Sequence, residues 1–200
     1  NLTEDDIYVL DSPILTNSQF KKFKKVFSKK IKIIDCTFDI NSSLKERIEK
    51  IKEECEISVR EGFGSLILSD KNISSARASI PTILAVGAVH SHLVKLGLRG
   101  YSSINVESSD ALDTHSFAVL IGVGATTVNP YLAIDSIYQR FEKNLFGKSD
   151  FEKCVTRFKK SIDAGLLKIM SKMGISVISS YRGGCNFEAV GLSRAIVADY

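Results

Sequence analysis

The chain has 200 residues, of which 44% are hydrophobic and 25% charged, with a net charge of +4. That length can bury a domain-sized core and that balance excludes a disordered polar chain, while no apolar run reaches the roughly 18–20 residues that a bilayer-crossing helix needs. The positive charge is local: seven lysines and no acid lie between Lys21 and Lys32, and the remainder carries 20 basic against 23 acidic residues.

The opening at Asn1 lacks a basic n-region, an apolar h-region and a cleavage site, so no secretory leader is expected, and the absent initiator Met points to a piece of a longer polypeptide. Cys36, Cys55, Cys154 and Cys185 form no CxxC pair or zinc-like rhythm. Four scattered thiols fit a reducing cytoplasm better than a disulfide scaffold.

Along the chain, Thr16 and Gln19 have capping-box spacing and predict a short helix, with Phe20, Phe23 and Phe27 as its apolar stripe and lysines opposite. Ile31 to Asp35 reads as a strand. Ser43 and Glu46 repeat the box before Leu44, Ile48, Ile51, Cys55 and Val59, which advance by helical steps along one face. Gly62 and Gly64 end that helix, and Ser65 to Ser69 follows as an apolar strand. Pro81 suits the first turn of a helix running to about Gly97. Ser103 to Val106 is the next strand, Thr114 to about Gly122 a helix, and Thr126 to Val128 a strand ending at Asn129-Pro130. A helix is predicted from Pro130 to Phe141. Ser149 and Glu152 make a third box, for a helix to about Leu167, and Ile175 to Ser179 is the fifth predicted strand.

Apolar strands alternating with helices predict an α/β fold, a parallel sheet of about five strands with flanking helices. An open doubly wound sheet and part of a (β/α) barrel both satisfy that pattern. In either, ligands sit at the carboxyl ends of strands, which here carry Asp35, Ser69, Asp70, Glu107, Asp110, Asn129, Ser179, Tyr181 and Arg182. Loops before helices also need Ser, Asp and Asn as caps, and most of these residues fit that role.

His90 and His92 diverge by about 200° on a helix and are not placed to share a metal ion. His115, after Glu107, Asp110 and Asp113, is a candidate acid–base group without a marked nucleophile. Gly122-Val123-Gly124 follows a helix and so lacks dinucleotide context. Arg182-Gly183-Gly184, after a predicted strand and before a predicted helix near Asn186, could hold a small phosphorylated ligand on its backbone N–H groups, or be a plain tight turn. The lysine stretch lacks Arg for base edges and reads as the solvated face of an amphipathic helix, so no nucleic acid is expected.

Several segments, in this order, resemble the central domain of glutamate synthase large subunits. They are Asp11–Thr16, Leu66–Asp70, Ile80–Pro81 with Leu84–His90, Gly97–Arg99, Phe117–Ala118 through Gly124–Ala125, Val128–Ala133 and Leu166–Leu192. The resemblance implies an enzyme that makes two glutamates from glutamine and 2-oxoglutarate. A glutaminase domain releases ammonia, and a flavin barrel carries FMN, reduces the imine and receives electrons through an iron–sulfur cluster.

It further implies that residues 1–200 are the connecting central domain, a degenerate (β/α) barrel without flavin, with no catalytic, cofactor or metal residues of its own. The implied partners are the glutaminase and FMN domains of the same polypeptide and a small electron-transfer subunit, in the cytoplasm. Whether electrons come from a pyridine nucleotide or ferredoxin is decided outside this segment. Lys172, Tyr181 and Arg182 are then the candidate contacts with neighbouring domains. The chain departs from the family pattern at Ser91, Leu112, Ser116 and Gly184-Cys185-Asn186, which counts against direct catalysis by those loops.

Overall fold

The computed structural model describes residues 9–199. In chain order the elements are α1 (Asn17–Val26), β1 (Ile31–Asp35), β2 (Thr37–Asp39), α2 (Leu44–Arg60), β3 (Ser65–Ser69), β4 (Arg77–Ser79), α3 (Thr82–Lys95), β5 (Ser103–Glu107), α4 (Thr114–Gly122), β6 (Thr127–Asn129), α5 (Tyr131–Glu142), α6 (Phe151–Lys172), α7 (Ile178–Tyr181) and α8 (Arg194–Asp199). The strands β1, β3, β5 and β6 pair in that order, all in parallel. Helices follow the strands as the alternating pattern predicts. Among the described residues, no helix is long and apolar enough to cross a membrane.

Local signals set most boundaries. The α1 capping box is complete: the Thr16 hydroxyl accepts from the Gln19 N–H (3.3 Å) and the Gln19 amide oxygen accepts from the Thr16 N–H (3.0 Å). Ser43 likewise takes the Glu46 N–H at 3.4 Å, and α2 buries Ile48, Ile51, Cys55 and Val59. The expected box at Ser149 and Glu152 does not form, because Asp150 occupies the N-cap. The helix it opens also runs past Leu167 to Lys172, since Leu166 and Met170 continue the buried stripe of Val155 and Ile162. It stops at Gly174 (φ +69), where the Ile175 N–H reaches back to the Met170 carbonyl at 2.9 Å.

The predicted strand at Ile175 to Ser179 is corrected by the structure. Its place beside β6 is taken by the N-terminal segment: Val128 N–H donates to Pro13 C=O (2.8 Å) and Leu15 N–H to Val128 C=O (3.0 Å), a parallel bridge centred on Ile14. A strand needs an open edge, and this one is filled, so the segment instead turns into the single-turn helix α7. A helix near Asn186 is also absent; residues 185–190 carry no regular structure and α8 starts at Arg194. Conversely, β2 and β4 form a small antiparallel pair. Strands of three residues leave too little periodicity to be read in advance.

The two faces of the sheet differ. Ile34, Leu66, Leu68, Ile104, Val106 and Val128 belong to one large core with Ile48, Ile51 and Cys55 of α2, Val86, Val89 and Leu93 of α3, and Phe117 and Ile121 of α4. The opposite, concave face is largely polar. There Asn105 donates to Ser65 Oγ (2.8 Å) and Ser103 Oγ (2.9 Å) and accepts from Thr127 Oγ1 (2.7 Å). Its apolar remainder is a second cluster of Leu15, Phe20, Phe23 and Ile67, with Ile31 beside it. Thus α1 lies over the concave face. Burying Phe20 and Phe23 there contributes about 1.5–3 kcal/mol each, and the Lys21, Lys22 and Lys25 side chains remain in solvent.

Candidate functional site

The carboxyl ends of the strands do form a polar rim, and each of its acids is tied to neighbouring groups. Asp35 accepts from the Thr37 N–H (2.9 Å) and hydroxyl (2.8 Å) and pairs with Arg77 at 3.0 Å. Burial raises its pKa, but these hydrogen bonds and the guanidinium outweigh burial and leave it lowered. Asp70 accepts from the Ser109 N–H (2.8 Å) and hydroxyl (2.6 Å), and its other oxygen has no partner among the described residues. Asp110 accepts from the Thr82 N–H at the start of α3 and from the Ser108 hydroxyl. Asn129 donates to the Leu15 carbonyl and to Asn17.

Glu107, like Asp70, is buried. Lys24 (2.8 Å) and Lys71 (2.9 Å) meet at the same carboxylate oxygen. Burial pushes its pKa up, but the hydrogen bonds and charges of the two lysines outweigh that and hold it below the ordinary carboxylate range. Lys24 also lies over the Phe20 ring and Lys71 over the Tyr131 ring. Burial and then the Asp70 charge raise the Tyr131 phenol, which stays protonated. The rim therefore holds ion pairs and caps.

His115 does not join this group. It is exposed and packs its edge on Phe187, while Asp113 caps α4 by accepting from Ser116. Nor do His90 and His92 meet: His92 Nε2 sits 2.9 Å from Glu56 Oε2, and His90 Nδ1 accepts from Arg99 Nε–H at 3.1 Å. Among the described residues, no cluster of His, Cys, Asp and Glu could hold a metal ion.

Ser179, Tyr181 and Arg182 were expected at the strand ends, and the structure puts them elsewhere. Tyr181 is fully buried and donates its hydroxyl to the Ala118 carbonyl of α4 at 3.0 Å. Gly183 N–H donates to Gly122 C=O (2.8 Å), and Gly184 N–H points to Tyr181 C=O (3.3 Å). The turn has no free N–H pair for a phosphate, which removes the strand-end cradle as a binding site. Arg182 lies near the start of β6, where with Thr126, Thr127, Pro13, Asp163 and Met170 it lines a cavity of about 570 Å³. Its Nε–H is buried without a partner among the described residues.

Beside it, Arg99 donates to His90, to the Ser102 carbonyl (2.6 Å) and to the Gly124 carbonyl (2.8 Å). Burial and the Arg182 charge bring Arg99 down to about 10, so it remains a cation at neutral pH. Burial, then Arg99 and Arg182, lower the His90 pKa and favour the neutral ring. Sequence periodicity could not reveal this cluster, because Arg99 in a short 3-10 helix (Arg99–Tyr101), Gly124 and Arg182 are far apart in the chain. Gly124, at φ +126, has no room for a side chain against the His90 ring. Gly124→Ala is expected to cost about 3 kcal/mol, read as a lower urea midpoint.

Phe20 and Phe23 lie against Ile67, the central residue of β3, and Lys24 reaches Glu107 at a strand end, so a planar ring system on this face would have to displace α1.

A family model described as the glutamate synthase central domain matches residues 2–193. The chain is 51% identical over 201 residues to the glutamate synthase [NADPH] large chain of Azospirillum brasilense, covering 99% of this chain and 13% of that protein. It is 40% identical over 191 residues to the glutamate synthase [NADPH] large chain of Bacillus subtilis (strain 168), covering 96% of this chain and 12% of that protein. Among solved structures, a mutant flavocytochrome b2 with benzoylformate aligns with a TM-score of 0.53 at 13% identity, covering 92% of this chain and 43% of that one. That likeness is one of fold alone.

Proposed function

Because the chain belongs to the glutamate synthase central-domain family, we propose that it serves as the connecting domain of a polypeptide that converts glutamine and 2-oxoglutarate into two glutamates. Here it holds a glutaminase domain and a flavin domain in fixed relation and contributes no reacting group. The observation that carries this reading is the filled inner face: in barrel folds chemistry sits at the strand ends, and here α1 lies over that face, reaches the strand ends through Lys24 on Glu107 and Asn17 on Asn129, and each rim acid is held by a hydrogen bond or ion pair. FMN and the iron–sulfur cluster then belong to other parts of the polypeptide, and a small electron-transfer subunit is an external partner. Three buried thiols and one exposed one, all unpaired, fit a reducing, cytoplasmic setting.

Lys172 and Arg182 are the proposed contacts with neighbouring domains. Lys172 is exposed at the end of α6, and Arg182, half-buried, lines the cavity beside α6. Tyr181 serves this domain's own core.

The test uses the full polypeptide. Lys71→Met and Tyr131→Phe are expected to leave glutamate formation within about twofold, because a lost general acid or base costs 10²-fold or more. A drop of that size in kcat with an unchanged melting temperature would place chemistry in this domain. A flavin spectrum co-purifying with residues 1–200 alone would do the same.

A further inference from the structure

The two edges of the parallel sheet are treated differently by the chain. The β6 edge is closed by Pro13–Leu15. Among the described residues, the β1 edge is left open. Its ladder with β3 is fixed at both ends, by Ser65 N–H to Lys30 C=O (3.1 Å) and Cys36 N–H to Ser69 C=O (2.8 Å). Residues in a strand alternate in which side their backbone groups address, so Lys30, Lys32, Ile34 and Cys36 face β3, and Ile31, Ile33 and Asp35 face away. The Asp35 carbonyl is taken by Arg47 at 2.5 Å. The N–H and C=O groups of Ile31 and Ile33 have no partner among the described residues.

Side chains tell the same story. Ile31 packs on the Phe20, Phe23 and Ile67 cluster, whereas Ile33, two residues on and on the same concave face, is 55% exposed. Lysine is a common guard of natural sheet edges, but Lys32 points to the other face, where its ammonium lies 5.6 Å from the Phe63 ring centre. Among the described residues the edge is therefore unpaired in its backbone, and it is apolar at its centre.

We propose that an extended segment of the same polypeptide, from outside residues 1–200, pairs with Ile31 and Ile33 and lays an apolar side chain over Ile33. The chain makes up 13% of its Azospirillum brasilense relative and covers 43% of the flavocytochrome b2 chain whose fold it shares, so a sheet continued by other residues is what its length leaves room for. Tethering makes that pairing effectively intramolecular. A second copy is the poorer occupant, since each would bring seven lysines between Lys21 and Lys32 to the contact. Facing that charge, the segment carries acidic flanks. The proposal does not depend on which domain supplies the strand, or on whether the domain is catalytic.

The test is residue-resolved amide hydrogen exchange on the full polypeptide. The Ile31 and Ile33 amides are expected to exchange within about tenfold of those of Lys32 and Ile34, which bond to β3. Exchange at open-chain rates for Ile31 and Ile33, with Lys32 and Ile34 still protected, overturns the proposal. So does protection that vanishes on dilution to monomer, or on deletion of residues 1–8. Ile33→Lys in the full polypeptide is expected to lower Tm by several degrees; an unchanged Tm counts against a covered edge.

Discussion

Replacing Tyr181 by alanine is expected to destabilise the domain by about 4 kcal/mol, the range found when a buried aromatic ring is deleted. The ring is 0% exposed, belongs to the main core and meets Phe187 edge-on at 6.3 Å between centroids. Its neighbour in the turn, Gly183, is fixed by the bond to Gly122, so the site has little freedom to collapse into the space left. Tyr181→Phe keeps the ring and loses the hydrogen bond to Ala118, at about 1 kcal/mol. In a domain of this size the alanine variant should melt roughly 10 °C lower. A loss below about 1 kcal/mol would mean that the Tyr181 turn is not anchored in the core.

Glu107→Gln is the second large expected effect, about 2–3 kcal/mol at neutral pH. Breaking a buried ion pair by removing one partner costs about 3–5 kcal/mol. Glu107 is 3% exposed, but the Lys24 and Lys71 side chains are 30% and 46% exposed and can turn partly to solvent, which places the loss at or just below that range. The pH dependence has a definite sign. The folded-state pKa of Glu107 lies below its ordinary value of 4.5, so its stabilisation is full above that value and is lost as the pH falls through the lower folded value. Urea midpoints of wild type and variant should therefore differ most near pH 7 and converge toward pH 3. An equal gap at both ends would show that shape, not charge, is what the substitution removes.

Much of the fold was legible because its signals are local. Thr16 with Gln19 and the 3.6-residue stripe of Ile48, Ile51, Cys55 and Val59 depend on residues a turn apart, and both elements form as read. Ser65–Ser69 was legible as a strand from its apolar run, and the strand read at Ser103–Val106 forms and extends to Glu107. Ile175–Ser179 carries the same β-branched signature and is not a strand, because pairing depends on which edge is open and Pro13–Leu15 already fills it. β-Propensity describes fit to a neighbour, and the neighbour is not in the segment.

The candidate site divides in the same way. That Asp35, Asp70, Glu107 and Asn129 gather at one end follows from parallel strands alone. That Lys24 crosses from α1 to neutralise Glu107, and that Phe20 and Phe23 cover the concave face, depends on how α1 docks, and its own stripe of phenylalanines does not specify what it covers. By itself the sequence determined the α/β class, the alternation of β1, β3, β5 and β6 with helices, the solvated lysine face and the glutamate synthase family. Only the tertiary structure decided that Tyr181 is core, that Arg182 lies away from the strand ends, and that, among the described residues, one sheet edge is closed and the other open. Those outcomes rest on contacts between residues far apart in the chain, which compete for the same space and the same hydrogen-bonding groups.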